Sequence, residues 1–248
     1  MSVVFLHAFP VNQQMWSGQL DILQNHCRTI SLDFRGFGGS ASSEGPVLMD
    51  QMARDVRDLL SAIGVHRVVL VGLSMGGYVS LAFYRLYRDI VRAIVLADTR
   101  ATPDTPEGKE RRYKFADKVE REGVSSITDE MLSALLGQTS LERRPSVVQR
   151  VRAMIESNSV SGVAGAQRGM AARPDSTDLL GDMSLPVLVV SGDEDKLTPI
   201  AEIESLHRAI KGSRFTVIEG AGHLSSIECP DEFNAALIDF IEMIDEGG

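Results

Sequence analysis

The 248-residue sequence has little cysteine and no long apolar run. Its two cysteines, Cys27 and Cys229, form no CxxC pair and no cluster with histidine, so we expect no metal site and read both as buried apolar side chains. Scarce cysteine is typical of a cytoplasmic protein. No segment approaches the roughly 18 apolar residues of a membrane-spanning helix, and the first residues form a strand pattern, so we expect neither a membrane anchor nor a signal peptide.

The sequence also lacks an excess of basic residues. Its formal net charge is −9, and nucleic acids and anionic membranes attract basic surfaces, so we expect neither as a partner. With 44% hydrophobic and 24% charged residues, the composition is that of a soluble globular protein. The length allows one α/β domain with a sizeable core.

The apolar run 68–71 leads directly into a Gly-x-Ser-x-Gly motif at 72–76. The run predicts a strand buried on both faces, and the apolar spacing of 78–87 predicts a helix after it. At such a strand-to-helix turn, Ser74 would be strained and its hydroxyl exposed, close to the free N–H groups of the helix. The same motif also arises by chance in ordinary turns, so its meaning depends on partners elsewhere in the chain.

Further strand patterns occur at 2–6, 27–32, 93–96, 186–191 and 214–218. Strands and helices alternate over the first 100 residues, which predicts an α/β fold with a mostly parallel sheet of about six strands and helices on both faces. Residues 101–181 have helical patterns only, at 107–121, 128–136, 145–158 and 163–172. An insertion of about 80 residues is too long for an ordinary crossover. We therefore predict a core of residues 1–100 and 182–248 and a helical cap of residues 101–181.

A serine hydroxyl needs a base to act as a nucleophile, and histidine suits that role. Of the five histidines, only His223 follows a strand in a glycine-rich loop at the same sheet edge as Ser74. His7 shares that edge, but its loop suits backbone interactions better. For the acid that orients the base, Asp195 follows a neighbouring strand, with three competitors: Asp98, Asp193 and Glu194. The order Ser74, Asp195, His223 is that of α/β-hydrolases.

The whole chain resembles the α/β-hydrolase superfamily, and within it the lactonase and carboxylesterase-like group related to 3-oxoadipate enol-lactonases. The resemblance implies an α/β-hydrolase fold, and it implies Asp195 as the acid because that residue ends the family's G-x-x-D stretch. It implies an oxyanion hole formed by the N–H groups of Met75 and Phe9, and no metal or cofactor. Four stretches carry the resemblance: His7-Ala8-Phe9-Pro10, Asp33-Phe34-Arg35-Gly36-Phe37-Gly38-Gly39-Ser40, Gly72-Leu73-Ser74-Met75-Gly76-Gly77, and Gly192-Asp193-Glu194-Asp195 with Gly222-His223.

The sequence departs from this family at two places. Ala8 replaces a usual glycine, which would strain the loop if that position needed a positive φ. The hairpin that usually precedes the first parallel strand is missing, so the strand at 27–32 is expected at a sheet edge. An uncovered edge can pair with another chain, and we expect a monomer or a homodimer.

These features predict a serine hydrolase that cleaves a small-molecule carboxylic ester or lactone through an acyl-enzyme on Ser74. A carbon–carbon bond hydrolase, a perhydrolase or a cofactor-free oxygenase would use the same three residues, and a ligand receptor with slow turnover is an alternative of another class. The cap, Phe9 and Trp16 are expected to shape an apolar pocket. Candidate anchors for a substrate carboxylate, or else solvated surface charges, are Arg111, Arg112 and Arg173.

Overall fold

The computed structural model describes residues 1–246, so the last two residues of the predicted core segment 182–248 lie outside the described residues. It contains a sheet of six strands in the order β2-β1-β3-β4-β5-β6, and every neighbouring pair is parallel. The predicted parallel sheet is confirmed, with β2 at one edge. The strands are β1 (Ser2–Leu6), β2 (Arg28–Leu32), β3 (Val68–Leu73), β4 (Val91–Ala97), β5 (Val187–Gly192) and β6 (Arg214–Ile218).

Helices connect the strands. Those of the first and last thirds of the chain are α1 (Ser17–Leu23), α2 (Met49–Ala62), α3 (Met75–Tyr87), α10 (Ile200–Ala209), α11 (Ser225–Glu228) and α12 (Pro230–Glu246). Between β4 and β5 lie α4 (Pro106–Glu122), α5 (Thr128–Leu135), α6 (Gln138–Arg143), α7 (Pro145–Glu156), α8 (Val160–Ala171) and α9 (Thr177–Leu180). None of the helices within residues 1–246 combines the length and apolarity needed to cross a membrane.

The sheet forms the centre of the apolar core. All six residues of β3 and all six of β5 are buried, as expected for parallel strands covered on both faces. Helix α2 is amphipathic, with Met52, Val56 and Leu60 buried. This arrangement brings the carboxyl ends of β1, β3, β4, β5 and β6 to a common edge, where ligands bind in open α/β sheets.

The helices between β4 and β5 are fastened to the loop that follows β2. The N–H of Val47 donates to the C=O of Gly165 at 2.9 Å, and the N–H of Ser159 donates to the C=O of Gly36 at 3.2 Å. The side chain of Asn158 accepts from the N–H of Gly38 at 2.8 Å. Helix α8 is therefore held against the sheet-forming part of the chain by backbone contacts.

Candidate active site

Ser74 lies at the junction of β3 and α3 in a strained conformation, with φ 55° and ψ −112°. A Cβ atom on Gly76 would lie 2.0 Å from the carbonyl oxygen of Leu6, so only glycine fits this turn. Two hydrogen bonds hold the strained residue: its N–H donates to Ala97 at 2.9 Å, and its C=O accepts from the Thr99 hydroxyl at 2.8 Å. The turn presents the Ser74 hydroxyl at the carboxyl edge of the sheet, as the motif predicts.

The structure brings Ser74, His223 and Asp195 into one hydrogen-bonded series. Nε2 of His223 lies 2.7 Å from Oγ of Ser74, and Nδ1 lies 2.7 Å from Oδ2 of Asp195. The carboxylate is fixed in turn, because its Oδ1 accepts from the N–H groups of Leu197 at 2.8 Å and Thr198 at 3.0 Å. With the Nδ1 proton donated to Asp195, Nε2 is free to accept the Ser74 proton. This is the geometry of a nucleophile, its base and an orienting acid.

The surroundings of His223 favour its protonated form. Burial alone would lower its pKa, but the charge and hydrogen bond of Asp195 outweigh that effect and raise the pKa above its usual value. Asp98 raises it further, and Arg100 acts in the opposite direction. The site therefore stabilises the imidazolium that forms when His223 takes a proton.

The competing carboxylates bind other groups. Asp193 accepts from the N–H of Gly220 at 2.7 Å. Asp98 accepts from the N–H of Gly192 at 2.8 Å. Glu194 binds Thr139. Among the described residues, Asp195 is the carboxylate whose hydrogen bond reaches His223.

The loop after β1 borders the cavity at Ser74. Phe9 lines the same cavity as Ser74, and its peptide bond to Pro10 is cis. Met75 begins α3, where N–H groups have no partner within the helix. Outside glycine, positive φ angles in the described chain occur at Ser74 and Asp98, so Ala8 fits this loop without the strain considered above. The oxyanion roles of Met75 and Phe9 stay a prediction.

His7 supports this loop as a neutral side chain. Nδ1 donates to the C=O of Ala8 at 2.9 Å, and Nε2 accepts from the N–H of Phe34 at 3.0 Å. Burial lowers its pKa to about 4. Its role is thus to join the loop after β1 to the loop after β2.

A cavity of about 330 Å³ opens at Ser74 and His223, large enough for a small organic molecule. Most of its remaining wall comes from α4, α5 and α8. The apolar part includes Phe9, Tyr78, Phe115, Met131, Ala134 and Met170, and the charged part consists of Arg100, Asp104, Arg111, Arg112 and Glu130. Within residues 1–246, no group of three or more His, Cys, Asp or Glu side chains is placed to hold a metal ion.

Two of the candidate substrate-binding residues lie elsewhere. Trp16 is completely buried and packs against Phe5 and Phe233, with ring centroids 5.2 and 6.1 Å away. The expectation that it shapes the pocket is wrong, because the indole fills the core. Arg173 is also buried and absent from the cavity wall: its guanidinium pairs with Asp104 at 2.7 and 3.0 Å and stacks on Tyr78. It is therefore not available to anchor a substrate.

The other two arginines line the cavity, but within residues 1–246 only Arg112 has hydrogen-bond partners there. Arg112 is committed to Asp104 at 2.5 Å and to the Gln167 side chain at 2.9 Å. Arg111 is exposed and, within the described part of the chain, forms no ion pair. Tyr78 was not among the sequence candidates, although its position one helical turn after Ser74 is a signal that places it beside the nucleophile.

Comparison with known proteins agrees with this architecture. The family described as alpha/beta hydrolase fold matches residues 2–230. An esterase structure from Thermogutta terrifontis, solved with malate bound, is 42% identical, with a TM-score of 0.97 and coverage of 98% of this chain and 90% of that one. The enol-lactonase structure from Burkholderia xenovorans LB400 is 29% identical, with a TM-score of 0.90 over 97% of this chain and 91% of that one.

A curated relative points the same way. The 3-oxoadipate enol-lactonase 2 of Acinetobacter baylyi is 27% identical over 236 residues, which cover 95% of this chain and 86% of that protein. The resemblance to enol-lactonases and esterases inferred from the sequence motifs is confirmed. The chain belongs to the alpha/beta hydrolase fold family.

Proposed function

We propose that this protein is a serine hydrolase that cleaves a small carboxylic ester or lactone through an acyl-enzyme on Ser74. The main support is the pair of 2.7 Å hydrogen bonds that join Asp195 to His223 and His223 to Ser74. Ser74 and His223 also line the cavity of about 330 Å³, where a substrate could bind. Enol-lactonase and esterase relatives support the same reaction class.

The proposed reaction begins when Oγ of Ser74 attacks the substrate carbonyl and His223 accepts the hydroxyl proton. The negative charge that develops on the carbonyl oxygen is held by the N–H groups of Met75 and Phe9, an effect worth about 3–4 kcal/mol per donor. His223 then returns the proton to the leaving alkoxide. Water, activated by the same histidine, hydrolyses the acyl-enzyme. In a lactone the leaving alkoxide is part of the acyl group and departs only in the second step.

We assign the helices of residues 101–181 the role of a cap that determines which substrates enter. In support, α4, α5 and α8 supply Phe115, Met131 and Met170 to the cavity wall. Residues 1–100 and 182–248 would form the catalytic core, which carries Ser74, Asp195 and His223. The cap would exclude water from the reacting carbonyl and strengthen the electrostatic interactions there.

We propose further that the substrate carries a carboxylate. Arg111 lines the cavity and forms no salt bridge among the described residues, although Glu107, one helical turn earlier, interacts with its charge. Arg100 and Arg112 add positive charge to the wall, against Asp104 and Glu130. The malate bound to the Thermogutta terrifontis esterase structure is a dicarboxylate, which supports this substrate class.

The test is a series of p-nitrophenyl esters, acetate through octanoate, with the wild type, Ser74→Ala and Ser205→Ala. Ser205 is an exposed serine of α10 that provides the matched control. Turnover that falls at least about a thousandfold in Ser74→Ala alone is expected. If the wild type shows neither turnover nor a burst, simple ester hydrolysis is wrong, and carbon–carbon bond cleavage is tested next. A single slow turnover with ligand-dependent stabilisation would instead indicate a receptor.

A further inference from the structure

The segment that joins α5 to α6, residues 135–139, contacts both loops that carry the base and the acid. We call it the α5–α6 turn. The C=O of Leu135 accepts a hydrogen bond from the N–H of His223 at 2.8 Å. Thr139 donates its N–H and its hydroxyl to the carboxylate of Glu194 at 2.8 and 2.5 Å. Because Glu194 precedes Asp195, the turn lies between the histidine loop and the acid loop.

Glu228 fastens the histidine loop to this turn. It is only 2% exposed, and its Oε2 accepts from the N–H of Gly137 at 2.8 Å. Its other oxygen accepts from the N–H of Leu224, the residue after His223, at 3.1 Å. The backbones are in direct contact here, since a Cβ on Gly222 would lie 2.2 Å from the nitrogen of Gly137. A single buried carboxylate therefore fixes the distance between the turn and the residues around His223.

Helix α5, which leads into the α5–α6 turn, also lines the cavity. Met131 and Ala134 of α5 line the cavity, and Leu135, whose C=O holds the N–H of His223, ends that helix. A displacement of α5 by a badly fitting ligand would therefore move the hydrogen-bond acceptor of His223 as well.

We propose that the α5–α6 turn is a positioning element of the reaction, in which Glu228 and Thr139 hold the histidine and acid loops at the distance that the Asp195–His223–Ser74 series needs. The fit of a substrate against Met131 and Ala134 is transmitted through this turn to the base. The proposal rests on the hydrolytic role of Ser74 proposed above. Neither Glu228 nor Thr139 touches the reacting atoms, so both are positioning residues.

The test measures how fast a fluorophosphonate labels Ser74, because this reaction requires an activated serine but no particular ester. The Oγ–P bond forms, fluoride leaves, and the hydroxyl proton passes to His223. The variants are Glu228→Gln, which keeps the size but exchanges one acceptor for a donor, and Thr139→Val, which replaces the hydroxyl with a methyl group and keeps the backbone N–H. Their matched controls are Glu142→Gln on the exposed side of α6 and Thr177→Val, whose hydroxyl also lies near a carboxylate, that of Asp175.

We expect labelling about tenfold slower or more in Glu228→Gln and about threefold slower in Thr139→Val, because small displacements of catalytic groups are costly. The kcat for ester hydrolysis should fall by the same factors, with KM nearly unchanged. A looser contact with Asp195 lowers the pKa of His223, so the acid limb of the labelling rate should move to lower pH. Asp98 and Arg100, the other ionisable groups that act on the pKa of His223, are unaltered in these variants.

Circular dichroism at the assay temperature separates these effects from unfolding. Wild-type labelling rates and an unchanged acid limb in both folded variants would overturn the proposal. If Glu228→Gln does not fold, Thr139→Val decides alone. If the wild-type protein is labelled but hydrolyses no ester, the proposed function fails, whereas the labelling rates of the variants still judge the positioning role.

Discussion

Oδ2 of Asp98 lies 2.5 Å from Oγ of Ser225, and Oδ1 of the same carboxyl accepts the N–H of Gly192 at 2.8 Å. Asp98 is completely buried and follows β4 with φ 47°. Burial, with the nearby charge of Asp195, raises its pKa to about 8. The Ser225 hydroxyl donates to Oδ2. Asp98 thus links the end of β5 to the residues after His223.

This assignment predicts the pH dependence of stability in Asp98→Asn. The folded-state pKa of Asp98 lies above its unfolded value, so the folded wild type holds an extra proton between about pH 4 and 8 and loses about 1.4 kcal/mol of stability per pH unit from this group as the pH rises. Asparagine does not titrate, and its amide can still accept the N–H of Gly192 and bind the hydroxyl of Ser225. The free energy of unfolding of the variant should therefore improve relative to wild type from pH 5 to pH 8 in denaturant titrations. Parallel pH curves for the two proteins would mean that buried Asp98 is ionised.

The contact between Asp195 and His223 predicts the pH profile of the reaction. Only neutral His223 can act as a base, and its pKa is raised above the ordinary value of about 6.5, so kcat/KM should fall as the pH drops through a midpoint above that value. Asp195→Asn removes the acceptor of Nδ1–H and should lower kcat by about 10⁴-fold, with the acid limb at lower pH.

Asp193→Asn is the matched control for this substitution. Asp193 is exposed and binds only the N–H of Gly220 in the described contacts, which asparagine still accepts. Near-wild-type kcat is expected. A large loss in Asp193→Asn together with an active Asp195→Asn would reassign the acid.

The sheet and the turn at Ser74 were predictable because their signals are local. Strands such as β3 are buried on both faces, so they are apolar at nearly every position, and the strained turn between β3 and α3 needs glycine at 76. Helices α6 and α9 have only 6 and 4 residues, too few to display an apolar period, and neither was predicted.

The contacts around the site depend on packing between distant segments, which a single sequence does not display. Gly137 and Glu228 are 91 residues apart and meet through one hydrogen bond. The side chains of Trp16 and Arg173 suited a pocket equally well in the sequence. In the structure Trp16 packs in the apolar core, and Arg173 pairs with Asp104 and stacks on Tyr78.

The space around two glycines predicts opposite effects of replacing each of them with alanine. In Gly76→Ala the new Cβ would lie 2.0 Å from the backbone oxygen of Leu6, so the loop that carries Phe9 must shift. We expect the free energy of unfolding to fall by about 1–3 kcal/mol and most of the esterase activity to be lost.

Gly181 is the control. It has helical φ and ψ and open space at its Cβ, so Gly181→Ala should be neutral or stabilise by about 0.4–1 kcal/mol. Thermal unfolding and ester turnover of both variants check this, and a fully active Gly76→Ala would contradict the packing argument.

The position of Arg111 in the cavity wall predicts a preference for esters whose acyl group carries a carboxylate. The p-nitrophenyl monoester of succinate and p-nitrophenyl butyrate have similar acyl lengths and differ in one carboxylate. Arg111→Gln should raise KM about fivefold for the succinate monoester and leave the butyrate unchanged, because an exposed ion pair contributes about 1 kcal/mol. The difference should shrink at high salt. Lys114→Gln, on the same helix but outside the cavity wall and paired with Glu110, is the control and should change neither KM. Equal changes for both esters in Arg111→Gln would mean that the arginine shapes the cavity without binding a carboxylate.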